Sequence, residues 1–323
     1  MTDPLAAPRG MDLVTLGVAA GPAIRGPEHG IASAVVVDDA FYLVDFGIGC
    51  TRAASEAGLA GHRFRAGFLT HLHSDHVVEL PGFLLWNWGR PVNGFSSPVR
   101  VVGPGPDPRD GTRHLAGTRR LVASALDAFS YDIAIREGDE DRPPLAELVR
   151  ATEVAAPEPG SAAAGEPFEV YADELITVTA VLVDHPPVHP ALAYRIDSAY
   201  GSVTFSGDTA ESENLVRLAE GTDVLVHEAV NLDYYRARGF SPAFLAHQEN
   251  SHTPPAGAGR VAKAAGARRL VLSHFAGLAD AAHWHDEAAS TYDGPVDVAT
   301  SGARYRVGGP SADGAGAGAG ARA

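Results

Sequence analysis

The segment Thr70-His71-Leu72-His73-Ser74-Asp75-His76 sets four potential metal ligands within six residues, directly after an apolar run that begins at Phe64. A loop at a strand end can turn several side chains toward one point while the strand holds it in place. His71 and His73 are two apart, so an extended backbone puts both on one face. Asp75 and His76 follow where a turn or helix start redirects them. Imidazole and carboxylate at this density suit zinc, iron or manganese better than calcium or magnesium. A plain polar loop is the competing reading, but desolvated neighbours of this kind are costly without a shared cation.

Four later segments repeat the context of an apolar strand followed by His, Asp or Glu. Ala180–Val183 leads to Asp184-His185, and Val203-Thr204-Phe205 leads to Ser206-Gly207-Asp208. Val224-Leu225-Val226 leads to His227-Glu228, and Leu270-Val271-Leu272-Ser273 leads to His274. In layered sheet folds strand ends converge on one edge, and sites are built there. The composition agrees, with 14 histidines against a single cysteine among 323 residues. Cys50 alone excludes an internal disulfide and a Cys-rich zinc site, and it reads as a small buried residue. Hydrophobic residues make up 45% and charged residues 20%, a globular composition. The formal charge of −15 argues against a broad basic footprint for nucleic acid.

The elements that must position these residues are legible as short apolar runs between turn residues. Strands are expected at Asp12–Leu16, Ala32–Val37, Phe41–Asp45, Phe64–Thr70 and Val99–Val102. Further strands are expected at Leu175–Val183, Ala191–Ile196, Ser202–Phe205, Asp223–His227 and Leu270–Ser273, with Val296–Ala299 as the last. Helical spacing covers Val77–Trp88, broken near Pro81-Gly82, then Arg113–Phe129 and Ala256–Ala265. Each half runs a meander and then alternates strand with helix, an α/β pattern of two packed sheets with helices outside. The expected organisation is one domain over 11–308 with a variable insertion at 137–167, a flexible N-terminus over 1–10 and a disordered Gly/Ala tail over 309–323. No signal peptide is legible, and no run approaches the roughly 20 apolar residues that span a bilayer. The expectation is a cytoplasmic protein with no membrane partner.

The HxHxDH motif, then His185, Ser206-Gly207-Asp208 and Ser273-His274-Phe275 in this order, resemble the metallo-β-lactamase fold superfamily of metallohydrolases. The resemblance runs from about Leu13 to Tyr305 and includes Leu43-Val44-Asp45-Phe46-Gly47. It is closer to the branch of ribonuclease Z-type tRNA 3′-processing endonucleases and arylsulfatase-like phosphodiesterases. His185 followed by Ala193-Tyr194-Arg195, then His227-Glu228-Ala229 and His252-Thr253, carry that finer likeness. It implies an αββα sandwich of two mixed sheets flanked by helices. It implies that His71, His73 and His185 bind one metal, that Asp75, His76 and His274 bind a second, and that Asp208 bridges them. Two Zn2+ are implied, with Mn2+ or Fe as alternatives. The implied chemistry is hydrolysis by a metal-bridging hydroxide that Asp75 also orients. His252 would donate a proton to the leaving oxygen and Glu228 would hold that histidine, against the plainer reading of a surface-loop hydrogen bond. His189 competes with His185, which is preferred because it directly follows its strand. His227 reads as structural, and His62, His114, His247, His283 and His285 as surface or rim. Trp86, Trp88, Tyr234, Tyr235, Phe240 and Trp284 are candidates for a pocket wall or for core.

The endonuclease branch carries a long arm for tRNA between the Tyr-Arg strand and the Ser-Gly-Asp strand, and here Arg195 to Ser206 is only a hairpin. With the −15 charge, this argues against tRNA and for a small-molecule ester, lactone, thioester or phosphodiester. The alternatives are an iron-dependent redox member of the same fold and a non-catalytic metal-binding regulator. A homodimer is expected by analogy with relatives.

Overall fold

The two halves of the chain repeat one plan, visible in a computed structural model that describes residues 9–24, 26–107, 109, 115–155, 157 and 165–308. In the first half β1 (Met11–Gly17), β2 (Ala32–Val37) and β3 (Ala40–Val44) form an antiparallel meander, and β4 (Phe64–Phe68), β5 (Val99–Pro104) and β6 (Val149–Val154) add to it in parallel. In the second half β7 (Phe168–Ala172), β8 (Ile176–Leu182), β9 (Leu192–Ser198) and β10 (Gly201–Phe205) are antiparallel, and β11 (Val224–Val230), β12 (Leu270–Ala276) and β13 (Val296–Val298) follow in parallel. The last strand, β14 (Ala303–Val307), crosses back to pair antiparallel with β1, which closes the first sheet at its edge. Among the described residues each sheet therefore has seven strands and mixes both pairings.

Burial on both faces of the strands makes four layers. In β2 and β3, Ala34, Val36, Phe41 and Leu43 face outward, against α1 (Cys50–Glu56), α3 (Leu80–Trp86) and α4 (Thr118–Ala128). The alternate residues Val35, Val37, Tyr42 and Val44 face inward and meet Val178, Ile196, Val203 and Val226 of the second sheet. Alternation with period two is what sorts one strand between two cores. Leu225 and Leu272 face the other way, against α7 (Glu213–Leu218), α10 (Pro255–Ala265) and α11 (Ala281–Ala289). α10 opens on Pro255, whose missing N–H costs nothing there, and stops at Gly266, where φ is 63°. α8 (Leu232–Ala237), α9 (Pro242–Ser251) and α11 start where Asn231, Ser241 and Asp280 accept the N–H groups of Tyr234, Phe244 and His283.

Several elements differ from their sequence expectation. The helical stretch at 77–88 is two pieces, α2 (Ser74–Val77) and α3, with Pro81 near the start of the second rather than in its middle. The run from Arg113 gives α4 and then α5 (Ser130–Asp139). The span 137–167 is more than an insertion, since α6 (Leu145–Leu148) leads into β6, the edge strand beside β5. β13 is not the last strand. Of the flexible N-terminus expected over 1–10, residues 1–8 lie outside the described residues, as does the tail expected over 309–323. Among the described residues, no helix is long and apolar enough to cross a membrane.

Candidate metal centre

The C-terminal ends of β4, β8, β10 and β12 meet at one edge of the two sheets. β4 ends at Phe68 and hands the chain to Thr70 and His71, and the first turn of α2 carries Asp75 and His76. Asp208 follows Gly207, whose φ of 59° and whose Cβ position, 2.7 Å from the Leu192 carbonyl oxygen, leave room for glycine only. His274 is the extra residue of a β-bulge. Ser273 pairs with Glu228 and Phe275 with Ala229, so His274 has no opposite number, and its φ is 45°. Bulges re-aim a side chain beside a site, and a histidine in the left-handed region is uncommon.

Two clusters of donors result. In the first, His71 Nε2 lies 3.0 Å from His73 Nδ1, and His185 Nε2 lies 3.3 Å from the same nitrogen. Asp208 Oδ2 is 3.8 Å from His71 Nε2 and 3.9 Å from His185 Nε2. In the second, His76 Nε2 and His274 Nε2 are 3.3 Å apart, and Asp75 Oδ2 is 3.6 Å from each. Asp208 Oδ1 is 3.4 Å from His76 Nε2 and 3.3 Å from His274 Nε2. The two oxygens of one carboxylate thus face different clusters. The opposite ring nitrogens are already committed: His185 Nδ1 donates to the Ser251 carbonyl at 2.9 Å, and His76 Nδ1 donates to Asp45 at 2.8 Å. His71 Nδ1 donates to Thr70 Oγ1 at 3.1 Å, since that hydroxyl gives its own proton to Asp45. This leaves three Nε2 lone pairs aimed inward.

The donors fit divalent cations. Ring nitrogens 3.0–3.3 Å apart repel unless a proton or a cation lies between them. Asp208 Oδ1 is buried with no hydrogen-bond partner, as is His274 Nδ1. By themselves the carboxylates hold protons in the second cluster. Burial opposes charge on His274, but Asp208 and Asp75 outweigh it and push the ring up to about 10. His76 is also raised, because Asp208 and Asp45 overcome its burial. In the first cluster burial dominates, so His71 is lowered and His185 is brought down to about 4. Asp208 stays ionised despite its burial because His274 and His76 face it. A cation in the second cluster must displace protons, which makes its binding pH-dependent.

Beside the clusters Glu228 accepts from His252 Nδ1 at 2.9 and 3.0 Å and from the Thr209 N–H at 2.7 Å. The His252 ring lies 5.0 Å from that of His185 and stacks on His274 at 6.1 Å. Every histidine and aspartate expected as a ligand is brought into these clusters. His189 is not among them; it sits half-buried between Val188 and Pro190, near Arg109 and Asp107. His227 is buried and donates from Nδ1 to the Glu228 carbonyl. Trp284 is no rim residue: it is buried against Phe275, and Trp88 is core, while Trp86 is 75% exposed. His114 lies outside the described residues.

Two positions gained no role from the sequence. Asp45 accepts from Thr70 and His76, and the Gly21 N–H donates to Asp75 Oδ2 at 2.9 Å. Asp45 carries the same signal as the ligands, a polar residue at the end of an apolar strand, whereas a backbone donor leaves no mark in the sequence. The loop holding Gly21 walls a cavity of about 390 Å³ that also touches Ile24, Ile48, Val78 and Asp75.

A family model described as Beta-lactamase superfamily domain matches residues 114–275. The ribonuclease Z of Mycobacterium bovis (strain BCG / Pasteur 1173P2) is 28% identical over 295 residues, covering 89% of this chain and 95% of that protein. The ribonuclease Z of Mycobacterium sp. (strain KMS) is 30% identical over 271 residues, covering 80% of this chain and 82% of that protein. Among solved structures, human tRNase Z, short form, superposes with a TM-score of 0.62 at 19% identity, over 92% of this chain and 99% of that one. The expected sandwich of two mixed sheets flanked by helices is the fold found. The expected small-molecule substrate, with tRNA argued against, is overturned by these relatives, which bear the name ribonuclease Z over most of both chains. The net charge belongs to the whole surface and the short β9–β10 hairpin to one loop. Neither describes the sheet edge where the two donor clusters lie.

Proposed function

The chain belongs to the beta-lactamase superfamily, and from that premise we propose that it is a metal-dependent phosphodiesterase of the ribonuclease Z kind, cutting an RNA backbone. The observation that carries the reading is Asp208, whose two oxygens divide between two imidazole clusters. His71, His73 and His185 would hold one cation, and Asp75, His76 and His274 the other. Imidazole and carboxylate donors without thiolate favour zinc, with manganese or iron as alternatives. Two bound cations make water acidic near neutral pH and draw charge from a phosphoryl oxygen.

The chain's own groups do the rest. Asp75, steadied by the Gly21 N–H, orients the attacking water. Glu228 fixes the Nδ1–H of His252, so Nε2 is the nitrogen left to protonate the leaving oxygen. Burial disfavours charge on His252, but Glu228 outweighs it and raises the ring above its ordinary value.

The test compares wild type with Asp208→Ala on a tRNA transcript carrying a 3′ extension and on bis(p-nitrophenyl) phosphate. Wild type is expected to cut both, and the variant to lose cutting together with both metals per chain. A variant that retains two metals or cuts at the wild-type rate would sink the assignment.

A further inference from the structure

His247 belongs to neither cluster nor to the Glu228–His252 pair, yet α9 sets it against both. Its ring centre lies 6.1 Å from that of His185 and 5.7 Å from that of His252, and the residue is half-buried. Its protonation pattern follows from its neighbour. Ser251 Oγ has one proton and donates it to the Pro186 carbonyl at 2.5 Å. Toward His247 Nδ1, at 3.2 Å, the same hydroxyl can therefore only accept. Nδ1 carries the ring hydrogen, and in the neutral imidazole Nε2 keeps a lone pair.

Beside the proposed proton donor, 5.7 Å from its ring centre, His247 thus offers a hydrogen-bond acceptor. Phosphate oxygens cannot use it, because they too only accept. The donor that lies beside a phosphodiester in RNA, and is missing from DNA, is the ribose 2′-hydroxyl. Resting on the reading of the chain as an RNA-cutting phosphodiesterase, we infer that His247 Nε2 accepts a hydrogen bond from a ribose 2′-hydroxyl next to the scissile phosphate and so makes the site prefer RNA.

The experiment uses the metal-loaded enzyme, an RNA substrate, and the same RNA with 2′-deoxyribose at the nucleotides flanking the cut. Wild type is expected to favour the all-ribose substrate in kcat/KM by about fivefold to tenfold, the weight of one neutral hydrogen bond. His247→Ala is expected to keep two metals per chain and to lose the preference through slower cutting of the ribose substrate. His247→Gln, whose amide oxygen can also accept, is expected to recover part of it. The same preference in His247→Ala as in wild type would overturn the inference while leaving the RNA reading intact. Loss of metal from His247→Ala would also overturn it, by making His247 a support of the clusters. Wild type that hydrolyses bis(p-nitrophenyl) phosphate but no RNA would bring down the RNA reading and this inference with it.

Discussion

Asp45 stands outside both donor clusters, yet it fixes two members of the metal loop. It accepts from the Thr70 N–H and hydroxyl and from His76 Nδ1, all at 2.8–2.9 Å and all buried. Removing it frees the His76 ring to turn and leaves Thr70 Oγ1 without its acceptor. Outer carboxylates of this kind typically contribute about 10–100-fold in metal affinity. Asp45→Ala is therefore expected to weaken the metal of the His76 cluster by that factor, read by competition with a chelator; unchanged affinity would show that Asp45 does not steady the ring. Glu228 acts on His252 in a different way, through charge. His252 is raised above its ordinary value because Glu228 overcomes its burial. As a proton donor the ring works while protonated, so the rate falls as pH climbs through its pKa. Glu228→Gln removes the charge and lowers that pKa, so the alkaline limb of kcat for RNA is expected to move to lower pH. A limb that stays in place would argue that His252 is not the donor.

At the scale of elements, the site depends on how each strand ends. Gly207 turns the chain after β10 with φ at 59°, and an added Cβ would meet the Leu192 carbonyl at 2.7 Å and Thr70 Cβ at 3.1 Å. Gly207→Ala is expected to cost about 2 kcal/mol from the left-handed backbone and the close approach. For a chain of 323 residues, with an unfolding entropy of about 2.1 cal/mol/K per residue, that is a fall of roughly 3 °C in Tm. Measuring it in the presence of EDTA separates strain from metal loss, and an unchanged Tm would refute the strain argument. The same strand ends explain what the sequence makes legible. An apolar run followed by His or Asp marks β4, β8, β10 and β12 because burial of both faces forces the first polar residue to the sheet edge. β14 is missed because Arg304 and Arg306 lie on its exposed face and break the apolar run. β6 hides for a related reason: Arg150 is exposed and its middle residues only half-buried at the sheet edge. The bulge that aims His274 is equally silent, since a one-residue offset depends on the partner strand and not on local sequence.

For the whole molecule, the charge of −15 would act on how the proposed RNA substrate is held rather than on which substrate is cut. Proteins that grip nucleic acid through six to ten Lys or Arg contacts lose about 10³–10⁵ in affinity between 50 and 200 mM salt. This chain has 25 Lys and Arg against 40 Asp and Glu, and many of the cations are already paired. Arg136, Arg195, Arg236, Arg260, Lys263 and Arg304 all face carboxylates within 3.1 Å. Those that are paired are less available to replace counterions on a phosphate backbone. Screening at higher ionic strength also weakens the repulsion between an acidic surface and a polyanion, which works against the usual loss. The two effects together predict a shallow salt dependence: kcat/KM for the RNA substrate is expected to change by less than about tenfold across that range. Such a slope would mean that the bound cations and the cleft, rather than a basic surface, supply most of the attraction to phosphate. A fall of a thousandfold would instead reveal a dedicated phosphate-binding face, and the arginines without carboxylate partners would be the first places to look for it.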